Sequence, residues 1–321
     1  MSSSDDSVES SVRVICGPTG AGKSSIAMAL AESRGAVILS ADSRQIYRRF
    51  DIGTAKPTDA ERARVTHRGI DIIDPSERYS AARWAAEART WIDEARAGGR
   101  PALIVGGTGF YLRALTEPLF ESPVLDPVRR TALERVLMTT STDDLRRWCT
   151  SLDPARAHLG RTQLIRSVET ALLAGERLSD LHRRHTEESR TRSARPRAGP
   201  IRARYLVVDP GPRLASRIEH RYDAMVAQGW PDEVGALARD VEESAPAWKA
   251  SGYAVMRELV AGRMSSHAAR ERVIIETRQY AKRQRTWFRH QLESAVTTRV
   301  DPHDPAFDAA VNDWWEAKTL A

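Results

Sequence analysis

Along the first 125 residues, short apolar blocks alternate with helical stripes. Val12-Arg-Val-Ile-Cys16, Ala36-Val-Ile-Leu39 and Pro101-Ala-Leu-Ile-Val105 have the length and composition of strands buried on both faces. Between them, Ile26, Ala27, Leu30 and Ala31 recur at helical spacing from Lys23 to Ser33. Ala81, Trp84, Ala88, Trp91, Ile92 and Ala95 do the same from Ser80 to Ala97. Ile70-Asp-Ile-Ile-Asp-Pro75 reads as a further short strand stopped by proline. Strands alternating with helices predict an α/β fold on a parallel sheet. From Asp126 the strand signal stops. Residues 126–200 are helical in pattern and rich in arginine, with Leu164, Val168, Leu172 and Leu173 as one apolar stripe, which predicts a helical insertion. Tyr205-Leu-Val-Val-Asp209 is the last clear strand. A helix from Arg213 follows, with Leu214, Ile218, Tyr222 and Met225 inward. A longer one runs from about Ser266 to Leu292, with Val273, Thr277, Tyr280, Gln284 and Trp287 near one stripe. The division this predicts is a disordered tail at 1–11, a core from 12–125 and 201–300, the insertion at 126–200 and a C-terminal tail at 301–321, in which Trp314 and Trp315 could dock a short helix.

The first strand runs into Gly17-Pro18-Thr19-Gly20-Ala21-Gly22-Lys23-Ser24, which fits G-x-x-x-x-G-K-[ST] between a strand and a helix. Glycines let such a loop turn tightly, and its N–H groups with the helix N-terminus point at an anion. Lys23 adds a cation, and the Ser24 hydroxyl is placed for Mg²⁺. The motif specifies a polyphosphate without saying which one, and the expected core is P-loop NTPase-like. Asp42 follows the second strand. In doubly wound sheets the strand C-termini line the ligand crevice, so Asp42 is a candidate general base or Mg²⁺ ligand, or else a helix N-cap. Gly106-Gly-Thr108-Gly109 is a second glycine loop at a strand end and should turn Thr108 toward the same crevice. No apolar run ending in Asp-Glu follows, as a conventional Walker B ATPase would need.

At 321 residues the chain can build a sizeable core, and its 41% apolar content is ordinary for a globular protein. No run approaches the roughly 18 apolar residues of a membrane span, and the polar, acidic N-terminus lacks the features of a signal peptide. The two cysteines, Cys16 and Cys149, form no Cys-x-x-Cys, which fits a reducing cytoplasm. His182 and His185 read as a solvated helix face. Net charge is +6. Arg183 to Arg204 holds eight arginines against two glutamates and reads as a basic linker; Arg257 to Arg289 holds nine Arg or Lys against three Glu. A single-sign helix beside a phosphate-binding core points to a polynucleotide backbone.

These segments together resemble the tRNA dimethylallyltransferase (tRNA isopentenyltransferase) family of bacterial type. The resemblance spans about residue 12 to 290. It is carried by the loop at 17–24, Ser-Ala-Asp-Ser-Arg-Gln-Ile-Tyr-Arg at 40–48, Asp-Ile-Gly-Thr-Ala-Lys-Pro at 51–57 and Val-Gly-Gly-Thr-Gly-Phe-Tyr-Leu at 105–112. Gly-Tyr at 252–253 and Thr-Arg-Gln-Tyr-Ala-Lys-Arg-Gln-Arg-Thr-Trp-Phe-Arg at 277–289 complete the set. It implies transfer of a dimethylallyl group from dimethylallyl diphosphate to N6 of the adenosine 3′ of the anticodon, with Mg²⁺ and with the P-loop holding the prenyl diphosphate. By resemblance, Asp42 takes the amine proton or hydrogen-bonds to it, Thr108 contacts substrate, and Arg221 neutralises the diphosphate. Gly17 to Ser24 bind that group. Asp42, Ser43, Arg44 and Gln45 grip the flipped adenosine. Arg130, Thr162, Gln163 and Arg166, with Arg278, Gln279, Lys282, Arg283 and Arg285, contact tRNA. Gln163 stands where the family pattern has an arginine. The expected protein is a cytoplasmic monomer. The alternatives are an adenylate isopentenyltransferase, which would not need the insertion or the basic helix, a P-loop small-molecule kinase, and a nucleic-acid-binding protein without catalysis.

Overall fold

The computed structural model describes residues 11–117, 123, 125–191 and 201–317. All but Ser11 of the tail expected at 1–11 lies outside them, as do 192–200 of the expected basic linker. The chain divides into two compact units, Met1–Glu117 with Pro200–Ala321 and Pro118–Gly199.

The first unit begins with β1 (Val12–Cys16), α1 (Lys23–Arg34), β2 (Val37–Ser40), α2 (Asp59–Arg64) and β3 (His67–Arg68). It continues with α3 (Ala81–Ala97), β4 (Ala102–Gly106) and α4 (Gly109–Thr116). The second unit holds α5 (Pro127–Thr139), α6 (Thr142–Leu152), α7 (Arg161–Ala174) and α8 (Leu178–Thr191). The chain then returns with β5 (Ala203–Val208), α9 (Leu214–Ala227), α10 (Trp230–Asp240), α11 (Tyr253–Val260), α12 (Ser266–His290), β6 (Thr297–Val300) and α13 (Phe307–Glu316). The strands form one all-parallel sheet in the order β3-β2-β4-β1-β5-β6, with β1 between β4 and β5. Parallel strands are buried on both faces, which is why β1, β2 and β4 are predominantly apolar, Arg13 being the one charged residue among them. One core cluster packs Ile15, Leu30, Leu103 and Val208 with Trp314 of α13. Another gathers Phe50, Trp230, Trp248, Tyr253 and Val273.

In the first unit three expectations change. Residues 70–75 are not a strand: Gly69 (φ 77°) and Asp71 (φ 57°) are left-handed, which breaks an extended run, and only Ile73 bridges Tyr47. Tyr205–Asp209 is not the last strand, because β6 pairs with β5 from Thr297 to Val300. Residues 301–321 are not a bare tail: α13 buries Val311 and Trp314, and Arg13 of β1 donates to the carbonyls of Trp315 and Ala317 at its end.

In the second unit, Leu137, Leu145, Cys149, Leu164 and Val168 form a small core. Leu172 is 44% exposed, so the expected stripe stops at Val168. Arg161 donates to the carbonyls of Leu137, Met138 and Thr140 and so satisfies the last turn of α5. Residues 183–191, expected in a basic linker, continue α8 instead. His182, expected on a solvated face, lies half-buried 3.5 Å from Arg156.

Candidate active site

The loop from Gly17 to Ser24 turns where β1 meets α1, and several of its glycines are demanded by their neighbours. A Cβ on Gly17 (φ 144°) would lie 2.2 Å from the Val208 carbonyl of β5; Gly22 is left-handed at φ 94°, with Arg217 close by. Arg217 of α9 donates to the Gly20 carbonyl at 2.9 Å, and Lys23 folds back to donate to the Pro18 carbonyl at 2.8 Å. Ser24 is exposed at the start of α1.

This loop forms one wall of a cavity of about 1270 Å³ that also receives Asp42, Gln45, Lys56, Arg221, Tyr280 and Gln284. Asp42 follows β2, as a strand-end residue should in such a sheet. Its Oδ1 accepts from the Arg44 N–H at 2.9 Å, closing an Asx turn, so the carboxylate is oriented by the next two residues of its own chain. The first two turns of α9 carry Arg221 to the cavity, one helical turn beyond Arg217. Burial pulls the Arg221 guanidinium below its ordinary range, and Asp42 opposes that pull. Burial and the neighbouring Arg221 lower the Lys23 amine to about 8, against the attraction of Asp42. The site therefore concentrates two cations and one carboxylate whose charges act on one another.

Thr108 is not among the residues that line this cavity. Its Oγ1 accepts from the Ser43 N–H at 3.0 Å and it hydrogen-bonds the Tyr280 hydroxyl, so it braces the Asp42 turn from behind. Tyr280 lines the cavity, and burial together with Asp42 pushes its hydroxyl up to about 12. Gln45 spends its carboxamide on the scaffold: its Nε2 donates to the carbonyls of Thr54 and Ala55, while its Oε1 accepts from Ser40. The 51–57 loop is held further by Lys56, whose side chain is 2% exposed and donates to the Tyr47 carbonyl and to Asp51 and Asp71. Glu233 of α10 accepts from the N–H groups of Asp51 and Ile52.

The basic helix is less single-signed than its sequence. On α12, Arg278 pairs with Glu219, Arg270 with Asp223 and Arg272 with Glu276. Arg285 is bound to Asp209 and the Gly211 carbonyl, which anchors the helix to the turn after β5 and engages its guanidinium within the chain. Gln279, Lys282 and Arg283 are exposed, and Lys282, Arg283 and Arg289 carry no ion pair among the described residues. In the second unit Arg130 grips the buried Glu169 with two hydrogen bonds, at 2.8 and 3.2 Å, while Thr162, Gln163 and Arg166 lie exposed on α7. Arg130 thus serves the packing of α5 on α7 before any outside partner.

The sequence did not single out Gln284, Tyr280 or Lys56 as site residues. The available signal was a polar glutamine on the otherwise buried stripe of α12. Among the described residues no cluster of three or more His, Cys, Asp or Glu could hold a metal ion, and no helix is long and apolar enough to cross a membrane.

A family model described as IPP transferase matches residues 45–291, and one described as isopentenyl transferase matches 10–72. The tRNA dimethylallyltransferase of Halorhodospira halophila is 41% identical over 298 residues, 90% of this chain and 93% of that protein. The tRNA dimethylallyltransferase of Burkholderia multivorans is 37% identical over 314 residues, 95% of each chain. The solved structure of the full-length tRNA isopentenylpyrophosphate transferase from Bacillus halodurans superposes with a TM-score of 0.65 at 31% identity. That match covers 95% of this chain and 94% of that one.

Proposed function

This chain belongs to the tRNA dimethylallyltransferase family, and we propose that it transfers a dimethylallyl group from dimethylallyl diphosphate to N6 of the adenosine 3′ of the anticodon in tRNA. The observation that carries the reading is the cavity itself. A single small ligand takes roughly 300–1000 Å³, and this cavity holds about 1270 Å³ between a phosphate loop and a carboxylate. That is room for a donor and an acceptor nucleotide together.

The chemistry follows from where the charges stand. The loop N–H groups, Lys23 and Arg221 bind the diphosphate and stabilise the negative charge it gains as the allylic C1–O bond breaks. The adenine N6 attacks C1, and Asp42 accepts the proton that N6 sheds. The products are the N6-alkylated adenosine and diphosphate. Thr108 and Tyr280 hold the Asp42 turn in place. Mg²⁺ takes one or two protein oxygens and completes its shell with phosphate and water. The exposed Ser24 hydroxyl at the loop fits that demand and would hold the ion, which neutralises the leaving group when bound. Exposed Gln279, Lys282 and Arg283 of α12, and Thr162, Gln163 and Arg166 of α7, would contact the anticodon stem-loop. The same reading makes the protein a cytoplasmic monomer.

The test is incubation with Mg²⁺, unmodified tRNA bearing the target adenosine, and labelled dimethylallyl diphosphate or labelled ATP. Label passing from the prenyl donor into tRNA is the expected result. Label accepted only by AMP would reassign the protein to free-nucleotide chemistry, and phosphate transfer from ATP without prenylation would make it a kinase.

A further inference from the structure

Gln284 is 7% exposed and lies where three elements meet. Its Oε1 accepts from the Thr19 N–H of the phosphate loop at 2.8 Å, and its Nε2 donates to the Gly107 carbonyl of the second glycine loop at 2.8 Å. Both partners are main-chain groups, one able only to donate and the other only to accept, so the carboxamide has a single satisfying orientation. The second glycine loop is shaped to this side chain. A Cβ on Gly107 would stand 2.3 Å from Nε2, and one on Gly109 would stand 2.4 Å from the Trp287 ring, three residues along the same helix. Gly107 lines the cavity as well, but the close approach that demands both glycines is that of α12. Arg285, the next residue, fixes the helix to Asp209 and Gly211 just past the Val208 carbonyl that packs on Gly17.

We propose that Gln284 is a positioning residue for the phosphate loop: it withdraws the Thr19 N–H from the groups offered to the anion and sets the loop's shape from the helix whose exposed face carries Lys282 and Arg283. The inference rests on reading the loop as the diphosphate site. Removing the carboxamide leaves the buried Gly107 carbonyl unpaired and releases the half-buried Thr19 N–H, and the loop relaxes away from the shape that fits diphosphate.

The experiment compares the full-length protein with Gln284→Met, isosteric and apolar, and Gln284→Glu, which still accepts from Thr19 but sets an oxygen against the Gly107 carbonyl. Inorganic diphosphate binding is measured by calorimetry, and KM and kcat are measured separately for dimethylallyl diphosphate and tRNA. For Gln284→Met the diphosphate Kd and donor KM rise about tenfold, the scale of one unmade buried hydrogen bond, while the tRNA KM stays within about twofold. For Gln284→Glu the added negative charge raises the donor KM further. A merely structural role would lower the active fraction, hence kcat, and leave the donor KM untouched; that result overturns the proposal. If Gln284→Met does not fold, an unchanged diphosphate Kd in Gln284→Glu overturns it equally. A wild type that transfers no prenyl group, with a diphosphate affinity that still falls in the variants, would sink the reaction assigned above and support the role of Gln284.

Discussion

Lys23 offers the sharpest quantitative test, because its amine titrates near physiological pH. Burial and Arg221 lower it from 10.5 to about 8 in the free protein, against Asp42 and Cys16. A bound diphosphate brings negative charge to the amine and holds its proton. Affinity is therefore full below pH 8 and falls as pH rises through it. With the bound amine protonated throughout, the apparent Kd scales as one plus ten to the power (pH − 8), so it rises about tenfold between pH 7 and 9. At pH 8 each binding event takes up about half a proton. Calorimetry with inorganic diphosphate, in two buffers of different ionisation enthalpy, reads both quantities at once. Lys23→Arg keeps a permanent cation and flattens the profile, which separates this titration from that of the ligand. A wild-type Kd constant from pH 7 to 9, or no proton uptake at pH 8, would refute the reasoning.

The same amine carries a stability cost in the free protein. Its folded value lies below its unfolded one, so stability rises with pH between about 8 and 10.5. Lys23→Met should raise the free energy of unfolding at pH 7 by about 1–2 kcal/mol, after discounting the shift for solvent screening, and abolish diphosphate binding; a lower melting temperature would contradict this. Asp42→Ala should leave tRNA binding nearly unchanged and lower turnover by on the order of 10² or more, and single-turnover prenylation at saturating donor measures it directly. Binding of tRNA should weaken steeply with salt, and Lys282→Gln should reduce the slope of log K against log salt by about 0.7–0.9, the share of one phosphate contact; Arg278→Gln, already paired with Glu219, should change it less. Arg130→Gln, which strands the buried Glu169, should destabilise the chain by about 1–3 kcal/mol, seen as a lower denaturant midpoint, and Glu169→Gln in the same background should recover part of it.

What the sequence made legible was local. The phosphate loop, its flanking strand and helix, and Asp42 after β2 are contiguous patterns with their own physical logic, and each stands where that logic puts it. The errors came from contacts between distant segments. Residues 70–75 have a strand's composition, yet Asp71 turns left-handed, with its carboxylate on Lys56 and Arg62. The cationic stripe of α12 reads as free until Glu219 and Asp223, two turns of a helix some 50 residues earlier, arrive beside it. Gly107 and Gly109 read as a second ligand loop, and Gly107 does line the cavity, but the close packing that requires glycine there is that of Gln284 and Trp287. A glycine reports close approach; it does not say by what. The strand β6 escaped notice because four residues, one of them arginine, leave too little pattern to read.

The position of β1 bears on how the chain reaches this state. The strands β3, β2, β4 and β1 can pair once residue 106 has been made, but the other flank of β1 is claimed only by β5, beginning at residue 203. Between those moments a central strand of the sheet is an open edge, with a row of free N–H and carbonyl groups available to any passing strand. At about 5–20 residues per second of synthesis, that window lasts roughly 5–20 seconds. A nascent chain of this protein should therefore be most prone to aggregate, and most dependent on chaperones, while the helical insertion is being translated.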